Sequence, residues 1–154
     1  MVARRHVHRR DSRRAPRGPP LVARFVLDAS IAAAWLFDDE TESRAEAALA
    51  RLEEAEALVP RHWHLEVRNA LLVAERRGRL STDDVNQRLG ALAALPVHTD
   101  DEPRLDVALA LARAHGLSIY DALYLELAQR HASTLATLDA ALAHAAEAEG
   151  LALI

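Results

Sequence analysis

The chain reads as an α/β protein, a three-layer α/β/α sandwich built on a central parallel sheet, and three observations predict it. Short apolar runs suited to buried strands recur at residues 25–27, 57–59, 133–137 and 151–154, with a weaker one at 96–99. Each is separated from the next by one or two segments with apolar residues at helical spacing, which calls for crossover connections and parallel pairing. The first run, Phe25-Val26-Leu27, has no polar alternation, the pattern of a strand buried on both faces. The length of 154 residues fits a single domain with a proper core.

Residues 1–24 stand apart in composition. Eight arginines face the single acid Asp11, a balance of +7, so the remaining residues carry −11 of the overall −4. With Pro16, Gly18, Pro19 and Pro20 among them, these residues cannot bury apolar area and are expected to be disordered. They are read as an inert extension or a start assigned too far upstream, in preference to an electrostatic arm for RNA. The folded domain is expected over residues 25–154.

In order, Ser30 and the alanine-rich segment after it open the first helix, and Asp38-Asp39-Glu40-Thr41-Glu42 forms a polar turn. Residues 42–55 carry Ala45, Ala48, Leu49 and Leu52 at helical spacing. The strand at 57–59 closes at Pro60, and a helix over 62–77 stops at Gly78. Ser81 caps a helix over 81–94 that has Asp83 and Asp84 in its first turn. Pro103 suits the first turn of a helix over 103–115, ended by Gly116. A further helix runs from Ser118 to Gln129, and Asp139 caps a last one ending at Gly150 before the final strand.

Several classes of function fall away. Cysteine is absent, which removes disulfides, thiolate chemistry and Cys-based zinc sites. No apolar run approaches the roughly 18–20 residues that cross a bilayer, and the arginine-rich start lacks the apolar stretch of a secretory signal. A soluble cytoplasmic protein with no membrane contact is expected. There is no Gly-rich phosphate loop, no Gly-x-Ser-x-Gly elbow and no lysine at all, so P-loop NTPases, hydrolase-fold esterases and Schiff-base enzymes are excluded. The eight histidines include no His-Glu-x-x-His pattern and read as mostly surface residues.

Four carboxylates remain. Singly each has a structural reading: Asp28 as a helix cap, Glu66 as a solvated helix residue, Asp121 as the acid of a capping box with Ser118, Asp139 as an N-cap. Jointly they fall on one edge. Asp28 and Asp139 follow strands, Asp121 opens a helix, and Glu66 lies in the first turns of the helix after the second strand, so a parallel sheet carries all four to its C-terminal edge. Like charges held close raise one another's pKa, and a divalent cation removes that cost. Oxygen-only ligands favour Mg²⁺ or Mn²⁺. Such a site can hold a phosphodiester and orient a water for in-line attack, so nucleic-acid hydrolysis is the chemistry expected.

These residues resemble the PIN domain, and within it the VapC-type toxin ribonucleases. The matching pieces are Phe25-Val-Leu-Asp28-Ala-Ser30, Pro60-x-x-Trp63-x-x-Glu66-Val-x-Asn69-Ala-Leu71, Gly116-Leu-Ser118-x-Tyr120-Asp121-Ala-x-Tyr124-Leu-Glu-Leu-Ala128 and Thr137-Leu-Asp139-x-x-Leu142, spread over residues 25–154. The resemblance implies that Asp28, Glu66, Asp121 and Asp139 are the metal-binding and catalytic acids, with Ser30, Asn69 and Thr137 as supporting polar positions. It implies RNA cleavage with Mg²⁺ or Mn²⁺, a homodimer, and silencing by a cognate VapB-type antitoxin. Two other classes compete: a PIN-like module that binds RNA or protein without cutting, which metal-dependent cleavage would exclude, and a phosphatase or receiver domain. The last is disfavoured because Asp28-Ala-Ser30 lacks a second aspartate and the chain lacks lysine.

Overall fold

The computed structural model describes residues 22–37 and 42–154. Strand β1 (Ala23–Leu27) leads into helices α1 (Ala29–Leu36) and α2 (Ser43–Arg51), then β2 (Ala55–Pro60), α3 (Trp63–Arg76), α4 (Thr82–Ala93) and β3 (Val97–Asp100). Helices α5 (Leu105–His115) and α6 (Ile119–Arg130), strand β4 (Thr134–Ala136) and helix α7 (Ala140–Ala148) complete the order. The four strands are parallel, in the order β3-β2-β1-β4.

Right-handed crossovers dictate the layers. The chain steps from β1 to β2 to β3 in one direction, which puts α1 to α4 on one face; it then returns across β2 and β1 to reach β4, which puts α5 to α7 on the other. The packing agrees: α1 meets α2 and α3, and α3 meets α4, while α6 packs on α5, α7 and the strands β1, β2 and β4. Phe25, Val26 and Leu27 of the central strand are fully buried, as are Ala122, Tyr124, Leu125 and Ala128 on the α6 face that crosses the sheet.

Three sequence expectations change. The predicted final strand at 151–154 is a single parallel bridge, Leu135 to Leu153, outside any strand. The helix expected over 42–55 ends at Arg51, and β2 begins at Ala55. Strand β1 begins at Ala23 and so takes in two residues assigned by composition to the extension. The last two share a cause: Ala23 pairs with Ala55 and Arg24 with Glu56, where Arg24 Nε bonds Glu56 Oε2 at 3.2 Å, a contact between segments distant in sequence. The rest of the extension, residues 1–21, and the Asp38 to Thr41 part of the predicted turn lie outside the described residues.

Local signals hold elsewhere. Ser81 and Asp84 form the full capping box on α4, and Gly116, at φ 65°, supplies the left-handed residue that ends α5.

Candidate active site

Strand β1 has β2 on one side and β4 on the other, reached by connections on opposite faces. Such a reversal opens a crevice at the C-terminal ends of the strands, where open α/β sheets hold ligands. The chain places Asp28 directly after β1, and Thr137 and Asp139 between β4 and α7.

Asp28 is 5% exposed. Its side chain does not cap α1. Instead Ser30 Oγ and Thr137 Oγ1 each donate to Asp28 Oδ2 at 2.6 Å. Each hydroxyl also accepts a backbone amide: Ser30 Oγ from Leu138 at 2.9 Å, Thr137 Oγ1 from Asp139 at 3.0 Å. The loop after β4 is thereby locked onto the start of α1. Neither donor engages Oδ1. Burial is the main reason the Asp28 carboxyl is pushed above its ordinary value; the two hydroxyls oppose the shift, and the negative charges of Glu66 and Asp121 add to it.

Glu66 sits in the first turn of α3 with a side chain 39% exposed, and its Oε1 lies 3.1 Å from His62 Nε2. That contact lacks hydrogen-bond geometry, so the buried Nε2 is without a bond. The His62 ring packs edge-on to Tyr124 at 5.0 Å between centroids and tilted against Tyr120 at 5.5 Å. At the start of α6, Ser118 Oγ accepts the Asp121 amide at 3.1 Å and donates to Asp121 Oδ2 at 2.8 Å. Ser118 caps the helix as expected, but the capping box is only half made, because the Asp121 carboxylate bonds the Ser118 hydroxyl in place of its backbone amide. One turn along, Tyr124 is fully buried, and its hydroxyl, beside the Ala29 amide, meets no partner at full hydrogen-bond geometry. Its pKa is driven far up, first by burial and then by the negative charges of Asp28 and Glu66, so it remains a neutral donor.

Of the predicted site residues, Asp28, Glu66 and Asp121 therefore share one electrostatic field, with Ser30 and Thr137 bound directly to Asp28. Asp139 stands apart: it is exposed, its carboxylate accepts the Leu142 amide at 2.7 Å as the cap of α7, and it reaches Asp28 only through Thr137. Asn69 is exposed one turn past Glu66 and takes no part in these bonds. Among the described residues no group of three acids or histidines forms a ready-made cation cage. The donor set still fits a hard divalent cation, because it is all oxygen and Mg²⁺ takes only one or two carboxylates while keeping several waters. His62 and Tyr124 carry no functional assignment in the sequence reading. Tyr124 had a signal, three residues past Asp121 on the same helix; His62 lies four residues before Glu66, the spacing of a helical pair, while its contacts with the two tyrosines come from tertiary packing.

The sequence profile of the PIN domain matches residues 25–148. The chain belongs to the PIN domain family. This PIN domain is 38% identical over 124 residues to a protein of Pyrobaculum aerophilum named Ribonuclease VapC3, covering 78% of this chain and 92% of that one. It is 35% identical over 133 residues to a Mycobacterium tuberculosis protein of the same name, covering 86% and 93%. The crystal structure of PAE2754 from Pyrobaculum aerophilum superposes with a TM-score of 0.65 at 22% identity, over 81% of this chain and 86% of that one, which establishes the shared fold. Among the described residues no helix is long and apolar enough to cross a membrane.

Proposed function

We propose that this PIN domain is a divalent-metal-dependent endoribonuclease and the toxin of a toxin–antitoxin pair. The observation that carries the reading is Asp28, an acid buried at the switch point of the sheet, held by two hydroxyls and raised in pKa by the charges of Glu66 and Asp121. A fold with no use for a charge there would not keep one, since burying an ion among like charges is costly unless a cation joins it. The VapC3 name of the two curated relatives supports ribonuclease as the activity.

Asp28, Glu66 and Asp121 would hold the cation. Mg²⁺ or Mn²⁺, when bound there, would supply Lewis-acid polarisation of a phosphate and a more acidic water. Ser30 and Thr137 fix Asp28 so that Oδ1 stays available, and Ser118 does the same for one oxygen of Asp121. Glu66, with a side chain 39% exposed, would accept a proton from water, with His62 restricting its side chain. Asp139 acts one step out, by shaping the loop that Thr137 anchors. A homodimer, a VapB-type antitoxin and a cytoplasmic setting complete the proposal, on the strength of the VapC resemblance.

The test is cleavage of single-stranded RNA by the intact protein with Mg²⁺ or Mn²⁺, with EDTA, and by Asp28→Asn. Cleavage is expected with metal, lost in EDTA and restored by Mg²⁺, and reduced by several orders of magnitude in the variant. Full cleavage by Asp28→Asn contradicts the assignment; RNA binding without any cleavage identifies a binding module instead.

A further inference from the structure

We propose that Tyr120 is a substrate-positioning residue, the platform on which the active site stacks an unpaired RNA base beside the phosphate to be cut. The inference rests on the ribonuclease reading and adds a substrate-positioning residue to it. Tyr120 precedes Asp121 in the first turn of α6, and at 59% exposure it is one of the most open large apolar side chains described. The core does not use it. The Ser118 cap fixes the turn that carries it, and His62 supports the ring at 5.5 Å between centroids. His62 is itself wedged against Tyr124 at 5.0 Å and against Glu66 at 3.1 Å, with a side chain only 12% exposed. A continuous wall of Tyr120, His62 and Tyr124 thus runs from the surface to the acids, and its outer member offers an aromatic face to solvent.

Charge explains the need for such a face. Residues after the first 24 carry a net −11, so the folded body does not attract a phosphate backbone by its net charge. Stacking on an aromatic ring accepts any base, because every base has a π-face, and it does not depend on releasing counterions. A base inside a duplex already has both faces covered, so only an unpaired one can use the platform.

The experiment compares the full-length protein with Tyr120→Ala, Tyr120→Phe and Tyr120→Trp, on a short single-stranded RNA and on the same sequence in a duplex, across a salt series. Tyr120→Ala is expected to raise KM for the single strand about ten-fold, with kcat within roughly three-fold and an unchanged salt slope; the Phe and Trp variants hold the original KM. The melting temperature of Tyr120→Ala stays that of the intact protein, because the ring is mostly exposed. A 2-aminopurine base placed in the RNA and bound by Asp28→Asn should be quenched with Tyr120 present and bright in the Asp28→Asn, Tyr120→Ala double variant. An unchanged KM in Tyr120→Ala overturns the inference, as does an equal effect on duplex RNA. Weakened self-association or antitoxin binding with RNA cleavage intact also overturns it, assigning the face to a protein. If the intact protein cleaves nothing, the ribonuclease reading fails, and the 2-aminopurine signal still decides the platform.

Discussion

Burial and the charges of Glu66 and Asp121 raise the Asp28 carboxyl above its ordinary 3.8, so folding favours its protonated form. The stability that this proton confers is complete below the ordinary value and lost as pH rises through the raised native value. Above the raised native value the ionised Asp28 is therefore a net burden on the fold. Asp28→Asn keeps an oxygen for Ser30 and Thr137 and removes the charge, so it should stabilise the protein at pH 7 by on the order of 1 kcal/mol, a rise of about 3 °C. The gain should shrink to nothing as the pH is lowered below 3.8, a trend that melting curves across pH would show. Lower stability of the variant at pH 7 would mean that the carboxylate serves the fold.

Among the elements, α6 does most to assemble the site, since it carries Asp121, Tyr124 and Tyr120 and crosses three strands. Its far end is clamped by Arg130, which donates to Glu126 at 2.7 and 3.2 Å and to Asp100 of β3 at 3.0 and 2.7 Å. Glu126 is 1% exposed. Arg130→Met leaves it buried without its cation and should cost about 3–5 kcal/mol in denaturant unfolding, with much of the loss recovered when Glu126→Leu is added. Elements like this one were legible because their signals are local: caps at Ser81 and Ser118, Gly116 at the end of α5, an unbroken apolar run in β1. What was not legible depends on partners distant in sequence. Ala23 and Arg24 become strand only by pairing with Ala55 and Glu56, and residues 151–154 have β4 alone to lie against, through one bridge. The site divides the same way. Asp28, Glu66 and Asp121 follow from their places at the sheet edge and the cap made by Asp139 from its place before the last helix, whereas the wedge of His62 between two tyrosines appears only on packing.

At the scale of the whole molecule, charge is unevenly shared, +7 in residues 1–24 and −11 in the rest. Removing residues 1–21 should leave the melting temperature unchanged, whereas removing 1–24 should lower it by taking away the Ala23 and Arg24 pairing with β2. Calorimetry of the two truncations separates these outcomes. The proposal depends most on a cation shared by Asp28, Glu66 and Asp121, because such a cation would explain why an acidic body keeps a buried acid among other acids. The most direct measurement is thermal unfolding of the intact protein and of Asp28→Asn, with and without millimolar Mg²⁺ or Mn²⁺. A ligand that binds only the native state stabilises it, by about 2.7 kcal/mol at a hundred times its Kd. The prediction is a metal-dependent rise in the intact protein that Asp28→Asn lacks; no rise in the intact protein at saturating metal, or an equal rise in both, would contradict it.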